Sequence, residues 1–113
     1  MKRIALIICL LVMGIAASWA LYTYQIRTQV VTVGTSATKL PSSPLVGRRY
    51  ILIQNVGDNT VYIGNSNVTA DENATGGIQL QPYAIWEADY DHTVDIYGIV
   101  ASGTGKVVVE EGK

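Results

Sequence analysis

The sequence predicts an all-β domain, a small antiparallel β-sandwich or jelly-roll-like barrel of about seven strands, preceded by one N-terminal transmembrane helix. Three observations predict this arrangement. After residue 28, short runs rich in β-branched and aromatic residues alternate with Gly, Pro, Asn, Asp and Ser turn signals, and no helical period appears. Residues 4–22 form one uncharged, mostly apolar run. The total of 113 residues suffices for one small domain and not for two.

The N-terminal run has the length and flanks of a membrane anchor. At 1.5 Å per residue, about 19 helical residues span roughly 28 Å, close to the hydrocarbon core of a bilayer. Lys2 and Arg3 precede the run and predict an N-terminus on the inner side, while aromatic residues gather at its outer end. We predict that residues 1–28 form anchor and stalk and that 29–113 form the β domain. The predicted anchor residues are Ile4, Ile7, Leu10, Leu11, Ile15, Trp19 and Tyr22.

A cleaved secretory signal is the alternative interpretation of the same run. Ser18 and Ala20 place small residues where a signal peptidase reads, and the purest apolar stretch, 4–15, has the length of a signal core. In that case the mature β domain would be periplasmic or secreted. The sequence leaves both interpretations open.

Composition and charge exclude several classes of protein. An apolar fraction of 49% and a charged fraction of 15% are not those of a disordered chain. From residue 30 on there are five basic and nine acidic residues, a net charge of −4, which disfavours a nucleic-acid partner. Cys9 is the only cysteine, so no intrachain disulfide can form.

The strand pattern also predicts the core. We predict strands at 29–33, 49–55, 61–64, 78–81, 84–90, 94–101 and 106–110, an irregular connection at 34–47 and a surface loop at 65–77. Because successive strand residues point to opposite faces, one face of each strand supplies the core. The predicted core residues are Ile51, Ile53, Val61, Ile63, Leu80, Trp86, Ile96, Val107 and Val109.

One strand carries more apolar surface than a single core needs. Residues 50–53 are apolar on both faces, which indicates a strand that is central in a sandwich or covered by another protein. We therefore predict an interface at Tyr50, Leu52 and Tyr62.

The residues offer no constellation for catalysis. His92 is the only histidine, it lies in a predicted turn, and no Gly-x-Ser-x-Gly motif accompanies it. Asp89, Asp91 and Asp95 are the best candidates for a Ca²⁺ site, but their spacing does not match an EF-hand loop. We predict no enzyme, no cofactor and no metal. Arg48 and its neighbour Arg49 open a strand, where they could contact a lipid phosphate or an acidic neighbour, but we predict that this charge pair is solvated.

A resemblance adds to this interpretation. The chain contains, in order, VTVGTSATKL (31–40), RYILIQNVG (49–57), VYIG (61–64), YGIVASGTG (97–105) and VVVE (107–110). This order resembles small all-β domains of bacteriophage virion structural proteins. The resemblance implies a β-sandwich that assembles with copies of itself or with capsid proteins. The N-terminal apolar run departs from ordinary capsid proteins and fits a phage that contains a membrane.

We therefore predict a minor virion structural protein, anchored in the virion membrane with its N-terminus inside. Its β domain would dock on capsid proteins or on copies of itself, and we expect a homo-oligomer. The alternative is a secreted or periplasmic β-sandwich that binds a carbohydrate or a protein. In that alternative, five aromatic side chains would offer stacking faces for a sugar: Tyr62, Tyr83, Trp86, Tyr90 and Tyr97.

Overall fold

Two four-stranded antiparallel sheets make up the part of the chain that the computed structural model describes, residues 25–73 and 75–113. The strands are β1 (Ile26–Val33), β2 (Thr38–Lys39), β3 (Tyr50–Asn55), β4 (Val61–Gly64), β5 (Ile78–Leu80), β6 (Ile85–Ala88), β7 (Tyr97–Ile99) and β8 (Gly105–Gly112). The first sheet has the order β1-β8-β3-β6 and the second the order β2-β7-β4-β5. This alternation of strands between two sheets is that of an eight-stranded jelly roll. The predicted all-β class is confirmed, with eight strands instead of about seven.

The predicted membrane anchor cannot be compared with this fold. Both interpretations of the N-terminal run, as an anchor and as a cleaved signal, concern residues 4–22, which lie outside the described residues. Within residues 25–73 and 75–113, no helix has the length and apolar character needed to cross a bilayer.

Period-two alternation places the core between the sheets. In β3, Ile51 and Ile53 point inward and are fully buried, and Ile53 pairs with Val109 of β8 on one side and with Trp86 of β6 on the other. Trp86 is half-buried and packs against the core, while the other eight predicted core residues are buried. Three further buried residues complete the cluster: Val33, Leu40 and Val100.

Strand ends differ from the prediction where hydrogen bonds outside the sheets engage the backbone. β1 begins at Ile26, so residues 26–28 belong to a strand and not to the predicted stalk. β7 begins at Tyr97 and not at Val94, because the Val94 N–H donates to the Asp91 carbonyl and its carbonyl accepts from Arg48. The Tyr90 carbonyl likewise accepts from Arg48, beyond the end of β6 at Ala88.

Strand β2 has no counterpart among the predicted strands. Thr38–Lys39 is only two residues long and lies in a segment rich in Ser and Pro that was predicted to be irregular. Its pairing with β7 holds it in the sheet, and the Leu40 N–H continues this contact by donating to the Ile96 carbonyl at 2.7 Å. Leu40 then fills the core at this end of the second sheet.

Gly98 sets how closely these strands pack, and it supplies a testable prediction. A Cβ at this position would lie 2.8 Å from Leu40 Cδ1 and 3.3 Å from Val61 Cγ1, both of them buried side chains. We expect Gly98→Ala to lower the free energy of unfolding by about 1–3 kcal/mol through overpacking. Gly34→Ala is the matched control, because a Cβ there meets nothing closer than 4.0 Å. Denaturant titration of both variants gives the comparison, and equal midpoints would refute this explanation of Gly98.

Candidate docking face and groove

The outer surface of the first sheet is the first candidate site. It consists of the side chains that point away from the core on four neighbouring strands, and we call it the outer face. Antiparallel sheets that cover a core on one side normally present polar residues on the other. Here the outer-facing residues of β1, β8, β3 and β6 are Ile26, Thr28, Val30, Thr32, Lys106, Val108, Glu110, Tyr50, Leu52, Gln54, Ile85 and Glu87.

The strand register arranges these side chains in rows. One row crosses all four strands from Val30 through Val108 and Gln54 to Ile85. Val30 is 63% and Ile85 56% exposed, so both ends of this row present apolar surface to solvent. Four strands at about 4.8 Å spacing give the row a width of roughly 14 Å. Large apolar side chains exposed on one face of a sheet are typical of a protein–protein contact.

A second row places acidic residues around one of the predicted interface residues. Leu52 lies between Glu110 on β8 and Glu87 on β6. Leu52 is half-buried and continues the apolar surface toward Tyr50 in the next row. The outer face therefore combines an apolar centre with two carboxylates.

The structure separates the predicted interface residues into two surfaces. Tyr50 and Leu52 share the outer face of the first sheet, but Tyr62 lies on the outer side of the second sheet, beside Ile99 and Gln79. Tyr62 therefore cannot take part in the same contact as Tyr50 and Leu52. The Tyr50 ring also lies directly over Gly112, where a Cβ would clash with it.

A hydrogen bond fixes the orientation of the Tyr50 ring. Its hydroxyl donates to Glu110 Oε1 at 3.1 Å. Desolvation, followed by this hydrogen bond and the nearby Glu110 charge, raises the pKa of Tyr50 above its usual value of about 10. The tyrosine is therefore neutral at neutral pH and belongs to the apolar part of the outer face.

A buried ionic cluster braces the end of the sandwich next to this face. Arg48 and Glu111 are 2% and 1% exposed, and Arg48 Nη1 donates to Glu111 Oε2 at 2.9 Å. Glu111 Oε2 also accepts the Leu45 N–H at 2.9 Å, and Oε1 accepts from Arg27 Nη2 at 2.6 Å. Arg27 Nη2 donates as well to the Ser43 carbonyl. The prediction of a solvated Arg48 was wrong, and the alternative of contact with an acidic neighbour is the one that the structure shows.

The remaining donors of Arg48 hold a second loop. Its Nε donates to the Tyr90 carbonyl at 3.0 Å, and Nη2 donates to the carbonyls of Asp91 and Val94 at 2.7 and 2.8 Å. One guanidinium thus joins the β2–β3 connection, the end of β8 and the β6–β7 turn. No local sequence pattern signals this pair, because 63 residues separate Arg48 from Glu111.

Acid is expected to loosen this cluster. Burial by itself would raise the pKa of Glu111, but the hydrogen bonds from Leu45, Arg27 and Arg48 lower it below its ordinary value. A carboxyl group whose pKa falls on folding contributes stability above its unfolded pKa of about 4.3 and loses it as the pH drops further. We therefore expect the unfolding midpoint to fall steeply below about pH 4. Glu111→Gln should flatten this dependence, and an equally steep dependence in that variant would contradict the assignment.

The second candidate site is an open groove lined by residues of both sheets and of the segment between β6 and β7. Its volume is about 260 Å³, enough for one small ring and somewhat below the usual range for drug-sized ligands. Ile63 and Ile78 of the second sheet form one wall, and Trp86 and Tyr90 form the other. The two aromatic rings lie 6.1 Å apart at an interplanar angle of 56°. Two polar side chains, Asn65 and Asp95, also line the groove.

The five aromatic residues that were predicted as a sugar platform do not converge. Trp86 and Tyr90 meet in the groove, whereas Tyr62 and Tyr97 lie on the outer side of the second sheet. Tyr83 is 73% exposed and occupies the turn before β6 with a φ of 66°.

The acidic residues near the β6–β7 turn have other partners. The Asp91 carboxylate accepts from the N–H and hydroxyl of Thr93, which lowers the pKa of Asp91 below its usual range. Asp95 pairs with Lys39 Nζ at 3.3 Å, and Asp89 lies on the surface near Tyr50. Within residues 25–73 and 75–113, no three His, Cys, Asp or Glu side chains gather where they could hold a metal. His92 Nδ1 accepts the Gly47 N–H at 3.2 Å.

Comparison with known proteins supports the fold and goes no further. No family model matches the chain, and no curated protein matches it. A crystal structure of Co(II) HppE in complex with substrate is similar, with a TM-score of 0.51 and 17% identity. The alignment covers 76% of this chain and 44% of the HppE chain, so this chain spans less than half the length of that enzyme.

Strand order and this likeness together define the class of protein. The chain forms an all-β jelly-roll domain that is similar in fold to part of HppE. At 17% identity the likeness carries the fold alone, and one fold hosts many unrelated functions. The outer face and the groove are therefore the features of this chain that bear on its function.

Proposed function

We propose that this protein is a minor structural protein of a membrane-containing virion, without catalytic activity. Its N-terminal run holds it in the bilayer, and its jelly-roll domain docks through the outer face on capsid proteins. The observation that carries the proposal is the exposure of Val30 and Ile85 at the two ends of a row that also contains Val108 and Gln54, because a free-standing sandwich has no need to expose such apolar side chains.

The composition of the outer face supports a partner protein. Hydrophobic side chains at its centre would supply buried area, and Glu110 and Glu87 on both sides of Leu52 would select a partner with basic groups. The ionic cluster adds rigidity, because it fixes the loops at one end of the same sheet. A rigid face loses little conformational entropy when it docks.

Particle fractionation tests this function directly. Gradient-purified particles should contain the intact chain, and gentle removal of the capsid should leave the chain with the membrane fraction. Intact-mass measurement should find residues 1–24 still present. A chain that is absent from particles, or that is shortened at its N-terminus and found outside the cell, would contradict the proposal.

The groove supports a second candidate, a carbohydrate-binding module. Trp86 and Tyr90 offer apolar faces, and Asn65 and Asp95 offer polar groups for hydroxyls at a site with room for one ring. Asn65 Oδ1 accepts the Asn67 N–H, which leaves its amide nitrogen to donate to a ligand.

A matched pair of tyrosine variants tests the groove. If it binds a sugar, Tyr90→Ala should weaken binding at least about tenfold, since a lost stacking contact and its burial are worth more than 1 kcal/mol. Tyr83→Ala is the control, because Tyr83 is exposed outside the groove. Calorimetric titration with soluble glycans gives both values. Equal affinities of the two variants, or no binding by the wild type, would refute this candidate.

A further inference from the structure

The free edge of β1 is the longest unpaired strand edge in the described part of the chain. β1 runs over eight residues at the end of the first sheet and, among residues 25–73 and 75–113, pairs only with β8. Gln25 and Lys113, which continue this ladder, exchange both backbone hydrogen bonds, at 2.8 and 2.9 Å. In an antiparallel pair such residues alternate with residues whose backbone groups point the other way.

This alternation identifies the backbone groups on the free edge. Residues 25, 27, 29, 31 and 33 direct their N–H and C=O groups toward β8, so residues 26, 28, 30 and 32 direct theirs outward. At about 3.3 Å per residue, the outward groups extend over roughly 20 Å. The same four residues carry their side chains on the outer face.

The β1 edge also lacks the features that usually block edge pairing. It contains no Pro, Lys, Asp or Glu, and its one charged residue, Arg27, points inward to Glu111. The opposite edge of the sheet is different, because β6 is only four residues long and exposes Glu87. The first sheet therefore has one protected edge and one open edge.

The exposed residues of β1 form a self-complementary pattern. Ile26 is 64% and Val30 63% exposed, and they lie at equal distances on either side of Thr28. An antiparallel second β1 with its twofold axis at Thr28 would place Ile26 opposite Val30 of the partner subunit. In this register the outward backbone groups of residues 26, 28 and 30 would form about six hydrogen bonds.

We propose that a second copy of this chain pairs its β1 with β1 in this register, giving one continuous eight-stranded sheet. Apolar pairs and a Thr–Thr pair across the strands stabilise the contact, and the interface is isologous. Arg27 faces Gln29 of the partner subunit, so no like charges meet directly across the axis. The inference rests on the proposed function as an assembly module, and adds the partner and the surface of self-association.

Crosslinking tests the register in the full chain, solubilised in mild detergent. In a Cys9→Ser background, Thr28→Cys should crosslink to dimers with a short homobifunctional thiol reagent, because the paired Cα atoms lie about 5.5 Å apart. Thr32→Cys is the matched control, exposed on the same strand and face. In this register the two copies of residue 32 lie about 26 Å apart, so the reagent should not crosslink the Thr32→Cys variant into dimers. A monomeric Thr28→Cys variant, or equal crosslinking at both positions, would overturn the proposal.

A charge on the edge provides an independent test. Val30→Lys should weaken dimerisation at least about tenfold, because the twofold axis applies the change twice. The mass of the full chain in detergent, measured by sedimentation, should change from dimer to monomer, while the circular dichroism spectrum should remain that of the folded wild type. A Val30→Lys variant that remains dimeric would refute the pairing.

These results separate the edge from the outer face. Suppose that Thr28→Cys fails to crosslink while the substitution Leu52→Lys on the outer face still blocks incorporation into particles. The proposed β1 pairing is then wrong, and docking through the outer face stands. If the dimer forms but Leu52→Lys is incorporated normally, the β1 pairing stands and docking through the outer face is wrong.

Discussion

Glu111→Gln is expected to lower the free energy of unfolding by about 3–5 kcal/mol at pH 7, the cost of removing one partner from a buried ion pair. The substitution keeps the size of the side chain but leaves the Arg48 guanidinium buried without a counter-charge. It also removes the charge that Arg27 and the Leu45 N–H face. Denaturant titration of the full chain measures the loss.

The control for this prediction is another glutamate of the same sheet. Glu87 is exposed on the outer face of β6, so Glu87→Gln should change the free energy of unfolding by less than about 0.5 kcal/mol. Arg48→Met in the Glu111→Gln background should recover part of the loss, since it removes the buried unpaired charge. Similar stabilities of the two glutamine variants would show that the cluster does not brace the fold.

Leu52→Lys is expected to reduce incorporation into particles at least about tenfold, because removing an ammonium group from water at an interface costs several kcal/mol, which pairing with the neighbouring glutamates does not fully offset. In the free protein the same lysine would lie between Glu110 and Glu87, so folding and solubility should be unaffected. The ratio of variant to capsid protein in purified particles, from quantitative mass spectrometry, gives the result.

A lysine on the other sheet controls for the added charge. Gln79→Lys changes an exposed residue of β5 on the outer side of the second sheet, away from the outer face. It should be incorporated like the wild type. Normal incorporation of the Leu52→Lys variant, or equal loss with Gln79→Lys, would contradict docking through the outer face.

Most of the sandwich could be predicted because alternation within a strand is a local signal. Ile51 and Ile53 alternate with Tyr50 and Leu52, and the buried, inward-facing pair is the β-branched one. What stayed unpredicted depends on distant residues. β2 exists only through its pairing with β7, and Val94 leaves the strand pattern because its carbonyl binds Arg48.

The ionic cluster is a clearer example of a feature that depends on residues far apart in the sequence. Arg48 stands beside Arg49 at a strand entrance, where two charges suggest solvent, yet β8 brings Glu111 to one of them and buries it. Arg49 remains exposed. Neither local composition nor periodicity distinguishes the two arginines, because the difference arises only when folding places Glu111 of β8 next to Arg48.

The candidate docking surface could likewise be predicted only in part. The apolar surplus at Leu52 is visible in the sequence, but the row from Val30 to Ile85 requires the register of four strands. The sequence could not show that Tyr62 belongs to the other sheet, since strand order is not encoded locally.

Site-specific photo-crosslinking in intact particles tests the central claim most directly. A photoreactive amino acid replaces Ile85, exposed on the outer face, or Gln79, exposed on the opposite side of the domain. Docking through the outer face predicts crosslinks to a capsid protein from position 85 and none from position 79. Crosslinks to capsid protein from position 79 alone, or from neither position, would contradict the claim.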